Sequence, residues 1–216
     1  MPAPLDLLPH LIGGLWVTIQ VTLGGTLVAF VCSFLAGLGR LSRDPIVRGL
    51  ARGYIEVFRG TSALVQLFWF YFALPLLLGV RLDALVVGIL ALGLNIGAYG
   101  AEVVRGAIAA IPRGQIEAAI ALNLSPWQRM RHVVLPQALV AMLPPFGNLL
   151  IELLKATALV SMITLTDLTR AGMFLRDETL RTAEIFGLLL VIYFVLSLGI
   201  THAVRRVERA VSRGMS

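Results

Sequence analysis

Of the 216 residues, 58% are hydrophobic and only 14% charged, and the formal net charge is +6. A water-soluble domain carries about 25% charged residues, so the composition excludes an ordinary soluble globular protein and points to a bilayer, where this length supplies roughly five helical spans. The single cysteine, Cys32, excludes an intrachain disulfide, and the positive charge is nearly all arginine beside apolar runs, which marks membrane topology and not a nucleic-acid surface.

The opening MPAPLDLLPH lacks the positive start of a cleavable signal and carries Asp6 instead. Residues 11–39 are free of charge and form the first expected span. Arg40, Arg43, Arg48, Arg52 and Arg59 follow as a connection. The second span is expected over 61–80, with Phe68, Trp69, Phe70, Tyr71 and Phe72 on it, and the third over 84–109. A polar segment, 112–134, precedes the fourth span, 135–163. A mixed-sign stretch, 167–184, leads to the fifth, 185–204, after which come Arg205, Arg206, Arg209 and Arg213. Backbone groups cannot stay unpaired in lipid, so each run is read as a helix, and residues 1–216 as one all-α integral membrane domain. The three arginine-rich regions fall on one side of a five-span chain. The positive-inside rule therefore puts the N-terminus outside and the C-terminus in the cytoplasm of a multi-pass protein.

The segment 112–134 reads as ordered. Pro112-Arg113-Gly114 ends the third helix, and 115–122 is rich in helix formers, with Glu117 near the positive end of the dipole. Asn123 suits a helix stop. Ser125, Pro126 and Gln128 spell a capping box with proline at the first helical position, and Pro136 marks the next break. Two short capped helices joined at Asn123-Leu124 are expected. Physics alone leaves open whether they lie on lipid headgroups, with Arg129 and Arg131 on phosphates, or dock a cytoplasmic partner.

Glu117-Ala118-Ala119, then Leu122, Ser125 and Val134-Leu135-Pro136, resemble the EAA loop of ABC importer permease subunits. The flanking text is similar to the polar-amino-acid branch of that family: YIEVFRGTSALVQLFWFYFALP at 54–75, AYGAEVVRGAIAAIPRGQIEAA at 98–119, and LPQALVAMLPPFGNLLIELLKATALVSMITLTDL at 135–168. The resemblance implies the type I importer permease fold in a bacterial inner membrane. It also implies a coupling helix in which Gly114, Glu117, Ala118, Ala119, Asn123 and Ser125 meet a cytoplasmic ATPase dimer. A second permease subunit, identical or paralogous, and an extracytoplasmic solute-binding protein complete the implied partners. The family usually has glycine where this chain has Asn123, and asparagine tolerates the left-handed conformation better than most residues.

No catalysis is expected of this chain. A P-loop needs Gly-x-x-x-x-Gly-Lys-Ser/Thr, and the one lysine, Lys155, lies between Leu154 and Ala156. His10, His132 and His202 are too far apart in sequence to suggest a metal site, and no cofactor is expected.

Polar groups at membrane depth default to functional candidates. Glu102 and Arg105 can pair along one face. Glu152 and Lys155 repeat the spacing deeper in the fourth span, either as a pair or as lining of a path. Asn95 and Asn148 suit helix packing or lining, and Pro144-Pro145 is expected to break or bend the fourth helix. The resemblance places Gln66 and the stretch 147–157 beside the translocation path. Amino-acid permeases of this branch commonly carry aspartate after the lysine, where this chain has Ala156, which is similar to permeases for ectoine-type compatible solutes. The reading is thus import of a polar zwitterion, an amino acid or an ectoine. The rivals are a secondary transporter or channel using a carboxylate such as Glu152, and a membrane receptor or scaffold.

Overall fold

Helix begins almost at once in the computed structural model, which describes residues 4–213 and the side chains of 6–210. Residues 1–3 of the opening segment and the side chain of Arg213, one of the topology-setting arginines, lie outside these. A 3-10 turn, Pro4–Leu7, leads into α1, Leu8–Arg40. Its buried stripe is made of small residues, among them Gly25, Ala29, Ser33 and Gly37, and it packs on α4, Ala84–Ala109. Small residues let two backbones approach closely in a membrane. A Cβ on Gly97 would stand 3.2 Å from the Ala29 carbonyl oxygen, and one on Gly37 2.8 Å from that of Ala101. Ser33 donates to the carbonyl of Ala29 at 2.6 Å and to that of Gly97 at 3.2 Å, so its hydroxyl also bridges the pair.

The stretch after Arg40 is not a simple connection. It forms α2, Pro45–Gly60, with Asp44 capping the Ile46 amide at 2.7 Å and Pro45 in the first turn. Ala51 and Ile55 are buried on one face, while Arg48, Arg52, Glu56 and Arg59 are exposed on the other. α2 climbs beside α1 and α4, since Ala51 packs with Ala36 and Ala101 and the Tyr54 hydroxyl donates to the Leu94 carbonyl at 2.6 Å. After a break at 61–62 comes α3, Ala63–Leu78, turned by 104° from α2. The expected second span, 61–80, is therefore the outer half of a broken span that starts at Pro45. The charged column along α2 hides this from a reading that starts with hydropathy.

α4 keeps the expected bounds, started by the Asp83 side chain, which accepts from Leu85 at 2.8 Å and Val86 at 3.3 Å. Arg113–Ala121 is α5. α6 runs from Pro126 to Ile163, so Pro136 does not break the chain as expected. A π-helical stretch, Met130–Val134, precedes Leu135-Pro136, and a second, Trp69–Ala73, precedes Leu74-Pro75 in α3. Proline lacks an N–H and crowds the carbonyl four residues earlier. In both places the residue just before the proline bonds five residues back, Leu74 to Trp69 and Leu135 to Met130, and the extra residue lets the helix continue. Pro144 and Pro145 also lie inside an unbroken helical run, Leu135–Ala156, before a 3-10 finish, Thr157–Ile163.

The mixed-sign outer stretch folds as α7, Leu168–Thr179, and α8 runs Thr182–Arg213. α1, α4, α6 and α8 are each long and apolar enough to cross a membrane, and the bent α2–α3 pair makes a fifth span. Val21, Leu67, Leu92, Ile96, Leu153 and Val160 form the central core. Leu11, Leu168, Leu175, Ile185 and Leu189 close the outer end, and Val104, Ile108, Val134, Ala138 and Met142 the inner end.

Candidate functional site

The cytoplasmic tip is built from two interlocked terminal motifs. At the end of α5, Leu124 N–H donates to the Ala119 carbonyl at 3.1 Å and Asn123 N–H to that of Ile120 at 2.9 Å. This is the double bond pattern of a Schellman closure, with Asn123 at its left-handed position, φ 55°. Two residues on, Ser125 Oγ accepts from the Gln128 amide at 3.3 Å while Gln128 Oε1 accepts from the Ser125 amide at 2.8 Å. The end of one helix and the start of the next are thus fixed within six residues. Gln137 ties α6 back to α5 by donating to Gln115 Oε1 at 2.6 Å.

Glu117 and Ala118 are exposed on this tip, as are Gly114, Asn123 and Ser125. Ala119 is only 3% exposed, so it supports the closure from within and offers no surface to a partner, contrary to what the EAA triplet suggested. The sequence reading uses Leu122, 75% exposed, only as a motif residue and passes over Trp127, 69% exposed. Large apolar groups presented at a helical tip are the usual anchors of protein interfaces. Their signal was in the sequence, since both stand in an otherwise polar stretch flanked by turn residues.

The membrane-depth candidates separate into two sets. Gln66 and Asn95 are 8% and 7% exposed and are engaged with each other. Asn95 Nδ2 donates to Gln66 Oε1 at 3.1 Å and to the Phe58 carbonyl at 2.9 Å. Gln66 Nε2 donates to the Phe58 carbonyl at 2.9 Å, the Thr61 carbonyl at 3.2 Å and Thr61 Oγ1 at 2.6 Å. These two amides satisfy carbonyls freed where α2 breaks from α3, which lipid could not do. A cleft of about 320 Å³ lies against this joint, lined by Val57, Thr61, Val65, Gln66 and Trp69 among others.

Asn148, Glu152 and Lys155 form the second set, exposed at helical spacing on one stripe of α6. Glu152 and Lys155 make no ion pair with each other among the described residues. Asn148 also borders a cavity of about 160 Å³ with Pro144, Thr201, Arg205 and Glu208, between α6 and α8. Glu102 is a structural group: its carboxylate pairs with Arg105 at 2.7 Å and reaches Arg40 at 3.9 Å, joining α4 to the end of α1. The aromatics at 68–72 pack edge to face with one another, and Phe68, Trp69 and Phe72 stand exposed. Among the described residues no group of histidine, cysteine and carboxylate side chains could hold a metal ion.

Over residues 9–213 the chain matches the family described as binding-protein-dependent transport system inner membrane component. It is 49% identical over 213 residues to a probable amino-acid ABC transporter permease protein of Sinorhizobium fredii (strain NBRC 101917 / NGR234), covering 96% of this chain and 90% of the relative. To the glutamine transport system permease protein GlnP of Escherichia coli (strain K12) it is 38% identical over 203 residues, covering 94% and 93%. Among solved structures it superposes on a chain from a crystal structure of an amino acid ABC transporter with histidines, with a TM-score of 0.88 and 34% identity over 95% and 96% of the two chains. A chain of the inward-facing MetNI methionine ABC transporter gives a TM-score of 0.80 at 24% identity over 95% and 98%, a likeness of fold alone.

Proposed function

Because the chain belongs to the family of binding-protein-dependent transport system inner membrane components, we propose that it carries a polar amino acid and that an ATPase grips its cytoplasmic tip. The chain is a multi-pass inner-membrane permease subunit of an ABC importer and not an enzyme; ATP is hydrolysed on a separate subunit. Permeases of this family work with an ATPase, a binding protein and a second permease.

The observation that carries the coupling reading is the continuity of the tip with the membrane. α6 starts at the capping box and runs for 38 residues, about 57 Å at 1.5 Å per residue. A displacement imposed at Trp127 reaches the Asn148–Glu152–Lys155 stripe through one helix, and one imposed at Leu122 enters that helix across the Asn123 turn. ATP and cargo drive transport only by stabilising different arrangements of that helix. Glu117, exposed and without an ion-pair partner among the described residues, supplies a charge for the ATPase surface.

For the cargo, support comes from the amino-acid and glutamine permeases among the relatives. Ala156 favours a second reading, an ectoine-type cyclic zwitterion, because the position after Lys155 offers no carboxylate to a substrate ammonium. The test is uptake into proteoliposomes holding permease, ATPase and binding protein, with glutamine, arginine, histidine and ectoine as competing solutes. Under the coupling reading Glu117→Lys lowers ATP-driven uptake at least tenfold while the ATPase still hydrolyses ATP. Unchanged uptake per ATP in that variant removes the coupling role, and uptake by the chain alone under a proton gradient reinstates the Glu152 carrier.

A further inference from the structure

The hairpin of α1 and α2 leaves an apolar groove that the bundle does not fill. Its walls include Leu35, Ala36 and Gly39 on α1 and Val47, Leu50 and Tyr54 on α2, with Leu94 of α4 between them, and its volume is about 370 Å³. Leu35 and Leu50 are 70% and 72% exposed, so the groove opens away from the bundle. The charged column of α2, which carries Arg48, Arg52 and Glu56, does not line it. The groove lies instead on an apolar, outward-turned side of the hairpin, continuous with the exposed Val31 and Leu38 of α1.

Nothing in the groove calls for water or for a polar solute. The Tyr54 hydroxyl is spent on the Leu94 carbonyl at 2.6 Å, and Cys32, also in the wall, behaves as a small hydrophobe. Unfilled space costs its lining the dispersion contacts it would otherwise make, and beside a membrane span the filler at hand is hydrocarbon. The inner mouth has the opposite character. Arg43 stands in the turn, four residues after Gly39, the last groove residue of one wall, and four before Val47, the first of the other. It is exposed and has no ion-pair partner among the described residues. Arg40, at the end of α1, lies 3.9 Å from Glu102, and its Nε makes no hydrogen bond. The acid in the turn, Asp44, accepts from the Ile46 amide at 2.7 Å and serves as the cap of α2. Positive charge is thus in excess where an apolar groove meets the cytoplasmic surface, an arrangement that attracts anionic lipid.

We propose that this groove seats an acyl chain of an anionic phospholipid from the cytoplasmic leaflet, with Arg43 on the phosphate. The long arginine stem keeps the guanidinium at headgroup level while the chain packs between the helices. The lipid fills the joint between α1 and α2 and so steadies the inner half of the broken span. It binds outside the cargo path, and its recognition does not depend on which solute is carried.

The experiment titrates the permease–ATPase complex in detergent with dioleoyl phosphatidylglycerol or dioleoyl phosphatidylcholine. Retained lipid is counted by native mass spectrometry, and assembly is followed by size-exclusion chromatography. Wild type is expected to retain the anionic lipid about fivefold better than the zwitterionic one, the worth of one arginine near the surface. Arg43→Gln loses most of that preference, whereas Arg206→Gln, which removes an exposed arginine on α8, keeps it. Val47→Trp fills the groove from the α2 wall and lowers retention of both lipids about tenfold, because the acyl chain loses its seat. Leu35→Trp does the same from the α1 wall and decides the matter where the first variant fails to assemble. Preference unchanged in Arg43→Gln, or retention unchanged in an assembled tryptophan variant, overturns the inference. Loss of subunits from the complex in both tryptophan variants overturns it in favour of a neighbouring protein subunit in the groove.

Discussion

The turns of the cytoplasmic tip are closed by hydrogen bonds between residues no more than five apart, with Gln137 reaching back to Gln115 as a brace, whereas the broken second span is closed by Asn95 reaching residues 29 and 37 positions away. The two regions need rigidity for different reasons. The tip stands outside the lipid, and on the proposed coupling it must keep its shape while an ATPase moves it, so most of its order comes from its own backbone. The break lies in the membrane, where an unpaired carbonyl finds no water, and a neighbouring helix supplies the missing donors. A local device survives rearrangement of the bundle. A long-range one makes the shape of α2–α3 depend on α4 staying in place.

The largest effect is expected from undoing the long-range device. Gln66→Leu leaves the Thr61 carbonyl and one Asn95 bond without partners, at about 1–3 kcal/mol for each buried group left unsatisfied. Asn95→Leu acts on the same carbonyl of Phe58 from the other side. Thermal unfolding of the detergent-solubilised complex should show both variants several degrees below wild type. The double variant should lose less than the sum, because the two amides share one network. Additive losses would mean that the amides act independently and that the break is held by packing alone.

This contrast also explains what could be read from the amino acids. Asp83, Ser125-Pro126 and Asn123 act on backbone within a few residues, so their motifs announce the start of α4 and the closure of the tip. α2 carries a cap of the same kind, Asp44-Pro45, and its apolar residues Ala51, Tyr54, Ile55 and Phe58 recur at helical spacing. Its arginines outweighed that pattern because hydropathy cannot show that a helix with one charged face still packs its other face on α1 and α4. Pro136 misleads for a related reason: proline forbids a regular α-helix but permits one with an inserted residue, as Pro75 also shows. The roles of Gln66 and Asn95 depend on a tertiary contact and leave no trace in their own neighbourhoods.

A smaller effect is expected at the tip. Asn123 holds φ at 55°, where a β-branched residue pays about 1–2 kcal/mol and asparagine much less. Asn123→Val should therefore lower uptake per ATP hydrolysed more than it lowers thermal stability, because it disturbs the joint between α5 and α6 and not the bundle. Asn123→Gly should stay within about 0.5 kcal/mol of wild type and preserve coupling. Loss of coupling in the glycine variant would show that the asparagine side chain, and not the left-handed turn, is what the tip requires.

The smallest effect concerns a second local cap, at the outer end, whose cost is set by burial. Asp167 is fully buried, and its carboxylate accepts from the Thr169 amide at 3.1 Å and the Arg170 amide at 3.0 Å, with the Tyr193 hydroxyl at 3.5 Å. Arg170, three residues on, turns its guanidinium to the Ser161 carbonyl, at 2.8 Å, and to the Phe174 ring. Loss of hydration therefore outweighs the amide donors and raises the Asp167 carboxyl above the usual carboxylate range. Between the unfolded and folded values the native state holds a proton that the unfolded chain has released. Stability from this group is complete below the unfolded value and is lost as pH rises through the folded one. Asp167→Asn cannot ionise and retains one acceptor for the cap, so its melting temperature should gain on wild type as pH rises above the usual aspartate range. Asp167→Ala loses the cap at every pH, at about 1 kcal/mol. A variant Asp167→Asn that instead loses ground as pH rises would mean that the amide donors stabilise the ionised carboxylate more than burial penalises it.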